Sequence, residues 1–113
     1  MNTSTLPLFP LSLVLFPGTV VPLHIFEPRY RRMVTDILEG DKRFGLLYHD
    51  PDEQGPFMNE PGRVGTVAVI RRHQPLPDGR SMIMVRGLDR FQIVSEVDSG
   101  RPYYEAMVGP YED

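Results

Sequence analysis

The chain has 113 residues, a formal net charge of −3 and no cysteine. This length predicts one domain whose core is large enough to fold without cross-links. The absence of cysteine excludes disulfide scaffolds, zinc ribbons and thiol nucleophiles, and the mild negative charge gives no reason to expect DNA or another polyanion as a partner.

The N-terminal region predicts a short tail followed by two strands. Residues 1–5 are mostly polar, and we expect them to be a disordered tail. Residues 6–11 and 20–26 are rich in apolar side chains, as short strands are, and the Pro17-Gly18 pair between them is typical of a turn.

Four prolines interrupt this apolar region. Proline has no amide hydrogen to donate to a sheet, so it is confined to strand ends, edge strands and turns. The strands here are therefore expected to be short. The prolines concerned are Pro7, Pro10, Pro17 and Pro22.

A change of period after residue 27 predicts one amphipathic helix over residues 28–39. Pro28 suits the first helical position, where its missing donor is not needed, and Gly40 is a natural C-terminal stop. Apolar residues then recur at helical spacing and form a single stripe. The stripe consists of Tyr30, Met33, Val34, Ile37 and Leu38.

The next segments predict a strand and an unusually long loop. Residues 43–49 have strand composition. Residues 50–63 hold three prolines, two glycines and four acidic side chains with little periodicity. Loops of this length in small domains tend to be functional or mobile.

A β-hairpin is predicted at about residues 64–86, with its second strand at residues 81–86. The Asp78-Gly79 pair between the two strands favours a tight reversal. Apolar residues occur on both faces of these strands, which indicates that the hairpin is covered on two sides or that one side is a binding face. The last strands are predicted at residues 91–97 and 103–108.

Short strands with close turns and a single helix predict a mainly β protein. The expected architecture is a small, strongly bent β-barrel or a pair of packed sheets, plugged by the helix. The aromatic residues are predicted to lie in its core, namely Phe9, Phe16, Phe26, Tyr30, Phe44 and Phe91.

Two blocks of the sequence form a combined pattern. The first is the proline-punctuated region at residues 6–32. The second comprises residues 64–70, 77–80 and 85–91 and ends in Gly87-x-x-Arg90-Phe91. Together they resemble the LON substrate-binding domain, which is found at the N-terminus of Lon proteases and in stand-alone LON-domain proteins. In the second block, we expect Gly87 to adopt a backbone angle that other residues avoid.

The resemblance implies a PUA-like β-barrel and a non-catalytic role in polypeptide recognition. Its expected partners are unfolded or apolar segments of other proteins, and self-association is left open. In fuller members of the family a helical bundle follows the β part. Residues 6–113 are therefore expected to correspond to the β subdomain, with the C-terminal helical subdomain absent.

The sequence does not predict an enzyme. It contains no Gly-x-Ser-x-Gly elbow, and its only lysine, Lys42, has no serine near it in sequence. The Ser-Lys dyad and the phosphate loop of the Lon protease and ATPase domains are thus missing. We expect no cofactor, although a part in, or an origin from, an ATP-dependent protease system is compatible with the resemblance.

No metal site is predicted either. The three histidines, His24, His49 and His73, fall on different predicted strands, where ordinary hydrogen-bonding roles are the commoner outcome. The acidic segment that starts at Asp50 resembles the first half of a calcium loop, but its twelfth position is Pro61 rather than glutamate. A solvated acidic loop is the preferred interpretation.

An RNA-binding or small-ligand-binding module on the same barrel is the alternative function. PUA-like barrels often serve RNA-binding proteins, yet the basic clusters here are small and lack interleaved aromatic residues for base stacking. RNA is therefore the less favoured partner. The clusters consist of Arg29, Arg31 and Arg32, and of Arg71, Arg72 and His73.

Apolar side chains outside the predicted core are the candidate substrate-binding residues. Phe57 and Met58 lie in the long loop, and Met82 and Met84 lie on one face of the hairpin. Methionine is flexible and polarisable, which suits a surface that accepts many apolar sequences, and exposed strand edges can pair with an extended peptide. The simpler interpretation places both hairpin methionines in the core and folds Phe57 over the barrel.

No targeting or membrane-spanning segment is predicted. The first basic side chain is Arg29, and the apolar stretch at residues 13–26 is broken by prolines and a glycine before it could span a bilayer. We therefore expect a soluble, cytoplasmic protein that does not bind membranes.

Overall fold

The computed structural model describes residues 3–50, 52 and 59–112. Six strands and one helix make up the secondary structure of this part, so the prediction of a mainly β protein with one helix is confirmed. The elements in chain order are β1 (Ser4–Leu11), β2 (Val20–Ile25), α1 (Pro28–Leu38), β3 (Arg43–Tyr48), β4 (Val64–Pro75), β5 (Ser81–Val97) and β6 (Tyr104–Pro110).

The strands form one sheet that closes on itself. Its order is β2-β5-β4-β3-β1-β6, and β6 pairs again with β5, so five strands make a ring and β2 extends the sheet beyond it. The pairing of β1 with β3 is parallel and the other pairings are antiparallel. Register shifts in β4 and β5 bend the ring. The bent barrel is confirmed, with an uneven wall because β2 lies outside the closed ring.

The hairpin is confirmed, but its second strand is much longer than predicted. Residues 81–86 and 91–97 belong to one strand, because β4 pairs with both segments, while β2 pairs with the first half of β5 and β6 with the second. The residues between them do not interrupt the strand. The amide of Gly87 donates to the carbonyl of Thr19, and its carbonyl accepts from the amide of Gly18, both at 2.8 Å.

Strand β1 begins at Ser4, so residues 4 and 5, which were expected to belong to the tail, pair with β6 instead, and two prolines lie inside this strand. Strand β1 pairs with β6 over residues 4–8 and with β3 over residues 8–11. Pro7 and Pro10 therefore each lie where β1 has a neighbour on one side only, so one side of each proline carries no ladder. Pro22 lies in β2 at the end of the sheet, as the edge rule predicts.

Helix α1 packs against one side of the sheet through its predicted apolar stripe. Tyr30, Met33, Val34 and Ile37 are buried, and Leu38 is partly buried against the same cluster. Their partners come mainly from β2, β3, β4 and β5. These partners include Leu23, Ile25, Phe44, Leu46, Ala68, Ile70, Ile83 and Val85.

A second core cluster is centred on Phe91. It combines apolar side chains of β1, β3, β5 and β6. A Cβ atom at Gly45 or at Gly65 would lie 2.7 Å from the Phe91 ring. Because glycine has no side chain, Gly45 and Gly65 leave room for the Phe91 ring and allow close packing around it.

Two of the six aromatic residues assigned to the core are exposed instead. Phe9, Tyr30, Phe44 and Phe91 are buried, whereas Phe16 is 57% and Phe26 is 54% exposed. In each of the two exceptions the preceding residue takes the inward position, because Leu15 and Ile25 are buried. At both places the chain thus buries the aliphatic residue and exposes the aromatic one that follows it.

Candidate functional site

The structure places the two hairpin methionines on the outside of the sheet. Met82 and Met84 are 36% and 37% exposed, and they alternate along β5 with buried Ser81, Ile83 and Val85. The simpler interpretation, that both methionines are core residues, is therefore wrong. The other two candidates, Phe57 and Met58, lie outside the described residues.

Side chains of three neighbouring strands surround the methionines. Met84 lies opposite Pro22 of β2 and Arg72 of β4. Met82 lies opposite His24 and Gln74 on the same two strands. We call this surface the hairpin face, and it consists of Pro22, His24, Arg72, Gln74, Met82 and Met84.

The hairpin face contains a shallow depression of about 440 Å³, lined by residues that include Pro22, Arg72, Met82 and Met84. Strand β2 borders it and is the last strand of the sheet, so its outer edge has no paired strand among the described residues. The hairpin face thus combines the flexible side chains of Met82 and Met84 with the backbone groups on the outer edge of β2, and an extended peptide can contact both.

A second apolar depression, which the sequence did not indicate, lies beside the loop between β1 and β2. It measures about 340 Å³ and is lined in part by Val14, Tyr48 and Val64, which are exposed. The strands next to it, β3 and β4, each have two neighbours. It therefore offers apolar contact without a free strand edge.

Each of the three arginines of α1 forms an ion pair or a hydrogen bond with a nearby group of the protein. Arg29 forms an ion pair with Glu27 at 3.8 Å, and Arg32 forms one with Asp36 at 3.1 Å. Arg31 donates from Nε to the carbonyl of Phe26 at 3.0 Å. This cluster is therefore a weak candidate for an RNA interface.

Charged and tyrosine side chains connect α1 to the chain just before β6. The Tyr103 hydroxyl donates to a carboxylate oxygen of Asp36 at 2.7 Å. This hydrogen bond, assisted by Arg32, lowers the pKa of Asp36. Burial and the Asp36 carboxylate raise the pKa of Tyr103 to about 12. Burial also raises the pKa of Tyr30 above its ordinary value.

The histidines and acidic residues do not assemble a metal centre in residues 3–50, 52 and 59–112, where no group of three or more potential ligands comes together. His24 instead lies with its ring 5.5 Å from the ring of Phe26. Most of the acidic segment after Asp50 falls outside the described residues. Within the part of the chain that the structure covers, no helix has the length and apolarity needed to cross a membrane.

Solved structures share this fold. A Lon N-terminal domain protein from Xanthomonas campestris matches with a TM-score of 0.74 and 28% identity, over 96% of this chain and 60% of that one. The N-terminal domain of Mycobacterium avium complex Lon protease matches with a TM-score of 0.72 and 18% identity, over 97% of this chain and 56% of that one. The fold class is thus that of Lon N-terminal domains.

Sequence comparison agrees. The family model for the ATP-dependent protease La (LON) substrate-binding domain matches residues 5–113. The Lon protease of Cytophaga hutchinsonii is 34% identical over 97% of this chain, and that of Dictyoglomus thermophilum is 30% identical over 96%. The chain spans about 14% of the length of both relatives. The chain belongs to the LON substrate-binding domain family.

Proposed function

We propose that this domain recognises polypeptides without catalysing a reaction, and that it binds unfolded or apolar segments on the hairpin face. The segment lies over the depression, with apolar side chains resting on Met82 and Met84. Where such a segment reaches the outer edge of β2, its main chain can add hydrogen bonds to that strand. In a longer protein of the Lon protease kind, capture here would precede the action of other domains.

The exposure of Met82 and Met84, two large apolar side chains that alternate with buried residues in the first half of β5, carries this proposal. Both side chains are unbranched, so they can adjust to ligands of different shape. The second depression, beside the loop between β1 and β2, is the weaker candidate. Its lining includes Val14 and Val64, and β-branched side chains are stiffer than methionine. Ordering an unfolded segment opposes binding, so one site should bind weakly, and oligomers or a tethered partner domain would raise avidity.

Binding of a labelled unfolded protein to the domain tests the proposal. The double variant Met82→Gln, Met84→Gln should weaken binding by about 5- to 30-fold, which corresponds to about 1–2 kcal/mol. The melting temperature should change little, because neither side chain is buried. Val94→Gln is the matched control, since Val94 is an exposed apolar residue near the other end of β5. Equal loss of binding in the control would contradict the assignment to the hairpin face.

RNA binding remains the second candidate, because Arg72 lies on the same surface. A mixed RNA pool measured at low and high salt distinguishes the two functions. Phosphate contacts make affinity fall steeply as salt increases, whereas apolar peptide contacts depend on salt much less. Salt-sensitive RNA binding without peptide binding would replace the proposed function by this alternative.

A further inference from the structure

We propose that the hairpin face selects apolar segments that carry acidic residues, through its own Arg72 and through Arg86, which borders this face on β5. This inference rests on the proposed function and specifies the class of peptide. It follows from where the positive charges lie relative to the two methionines, and from the lack of negative charge around them.

Arg72 neighbours Met84 across the sheet, and Arg86 neighbours it along the strand. Arg72 lies opposite Met84 on β4, and Arg86 follows two residues later on the same face of β5. Two residues along a strand span roughly 7 Å. Both arginines are exposed, so their guanidinium groups can reach carboxylates on a segment that contacts Met84.

Acidic residues are absent from the strand segments that build this surface. Residues 20–25, 64–75 and 81–88 contain no aspartate or glutamate, although the whole chain has 15 acidic residues and a net charge of −3. The nearest acidic residue in the hairpin turn, Asp78, is paired with Arg80. The hairpin face is therefore a basic region on an acidic protein.

Neither Arg72 nor Arg86 forms an ion pair with any described residue. This distinguishes them from Arg29 and Arg32 on α1, which have carboxylate partners. A guanidinium group beside an apolar floor is partly shielded from water once a peptide covers that floor, so its attraction for a carboxylate increases. Lysine or arginine on the peptide would be repelled for the same reason.

Three peptides of equal length test the inference. All carry the same apolar residues, and the positions between them are filled with aspartate, serine or lysine. Fluorescence anisotropy with the intact domain at low salt should give affinities in the order aspartate, serine, lysine, with about 2- to 10-fold between successive peptides. High salt should reduce these differences.

Charge-changing variants test whether Arg72 and Arg86 cause the preference for acidic peptides. The double variant Arg72→Glu, Arg86→Glu should reverse the order of the aspartate and lysine peptides. Arg72→Gln with Arg86→Gln should abolish the preference, and this milder change serves if the reversed variant does not fold. Arg90→Glu, the same charge change at an exposed arginine of β5 beyond Gly87, should leave the order unchanged.

The outcomes separate the two proposals. Equal binding of all three peptides, still dependent on Met82 and Met84, would overturn charge selection and leave the proposed function intact. An unchanged order in the double glutamate variant, or an equal reversal by Arg90→Glu, would also overturn it. Failure of every peptide to bind would overturn both proposals, as would binding of RNA alone.

Discussion

The hydroxyl of Thr66 donates a hydrogen bond of 2.8 Å to the backbone carbonyl of Leu15. Both residues are buried, and the bond joins β4 to the loop between β1 and β2. It holds Leu15 in the core while its neighbours Val14 and Phe16 remain exposed. The Thr66 hydroxyl, together with the backbone hydrogen bonds of Gly87 to Gly18 and Thr19, thus positions a loop that has no strand or helix of its own.

Replacing Thr66 with valine should destabilise the domain by about 1–3 kcal/mol, because the buried carbonyl of Leu15 loses its donor. Thr66→Ser keeps the hydroxyl and should cost less. Urea denaturation of both variants measures the difference. A valine variant as stable as the serine variant would show that this hydrogen bond does not anchor the loop.

Gly87→Val should destabilise the domain, although the reason differs from the sequence-based expectation. Gly87 is not among the positive-φ glycines, so the expected unusual backbone angle is wrong. A Cβ atom there would instead collide with the backbone carbonyl of Phe16. Overpacking of this kind costs about 1–3 kcal/mol or more.

Thermal unfolding of Gly87→Val and Gly40→Ala checks this steric explanation. At Gly40 the nearest atom to an added Cβ, the carbonyl oxygen of Ile37, is 3.8 Å away, so the alanine variant should stay within about 0.5 kcal/mol of the parent. If Gly87→Val melted at the parent temperature, the close approach of the two backbones would not be restrictive.

Lys42→Gly should leave stability unchanged or increase it by up to about 1 kcal/mol, because the left-handed conformation is costly for a residue with a side chain. Lys42 has φ 63°. Its amide donates to the carbonyl of Ile37 at 3.0 Å, and its carbonyl accepts from the amide of Ile70 at 2.9 Å. These two hydrogen bonds fix the backbone of Lys42.

The adjacent substitution Arg43→Gly is the matched control for this strain. It also removes a long exposed cation, but from strand β3, where glycine is unfavourable by roughly 0.5–1 kcal/mol. Chemical denaturation should rank Lys42→Gly above Arg43→Gly. The opposite ranking would mean that the conformation of Lys42 carries no strain.

Tyr103→Phe should flatten the dependence of stability on pH. The pKa of Tyr103 is raised to about 12, so its contribution is complete below the ordinary tyrosine pKa of about 10 and is lost as pH rises through the raised value. The pKa of Asp36 is lowered, so its contribution is present above the ordinary carboxyl pKa of about 4 and is lost as pH falls.

Unfolding free energies of the parent and of Tyr103→Phe, measured across pH, test both directions. The two proteins should differ most near neutral pH and converge at both extremes. Tyr48→Phe, a substitution at an exposed tyrosine, should run parallel to the parent throughout. A constant difference between Tyr103→Phe and the parent would contradict the link to Asp36.

The helix shows what the sequence can predict well. Its start at Pro28 and its buried stripe follow from backbone chemistry and from the spacing of 3.6 residues per turn, both of which are local properties. The continuity of β5 was not predictable in this way. Its middle residues remain in the strand because the amide and carbonyl of Gly87 find partners at Thr19 and Gly18, which are almost 70 residues earlier in the sequence.

The single helix, the hairpin and the family resemblance follow from the sequence alone, whereas strand β1 continues through Pro7 and Pro10. The sequence did not determine which side of β5 meets solvent, because apolar residues occur on both faces, Met82 and Met84 on one and Ile83 and Val85 on the other. Tertiary structure decided this, since α1 and the neighbouring strands bury the isoleucine and the valine while the methionines remain partly exposed. Strand alternation separates two faces, but only packing against other elements assigns one of them to the core.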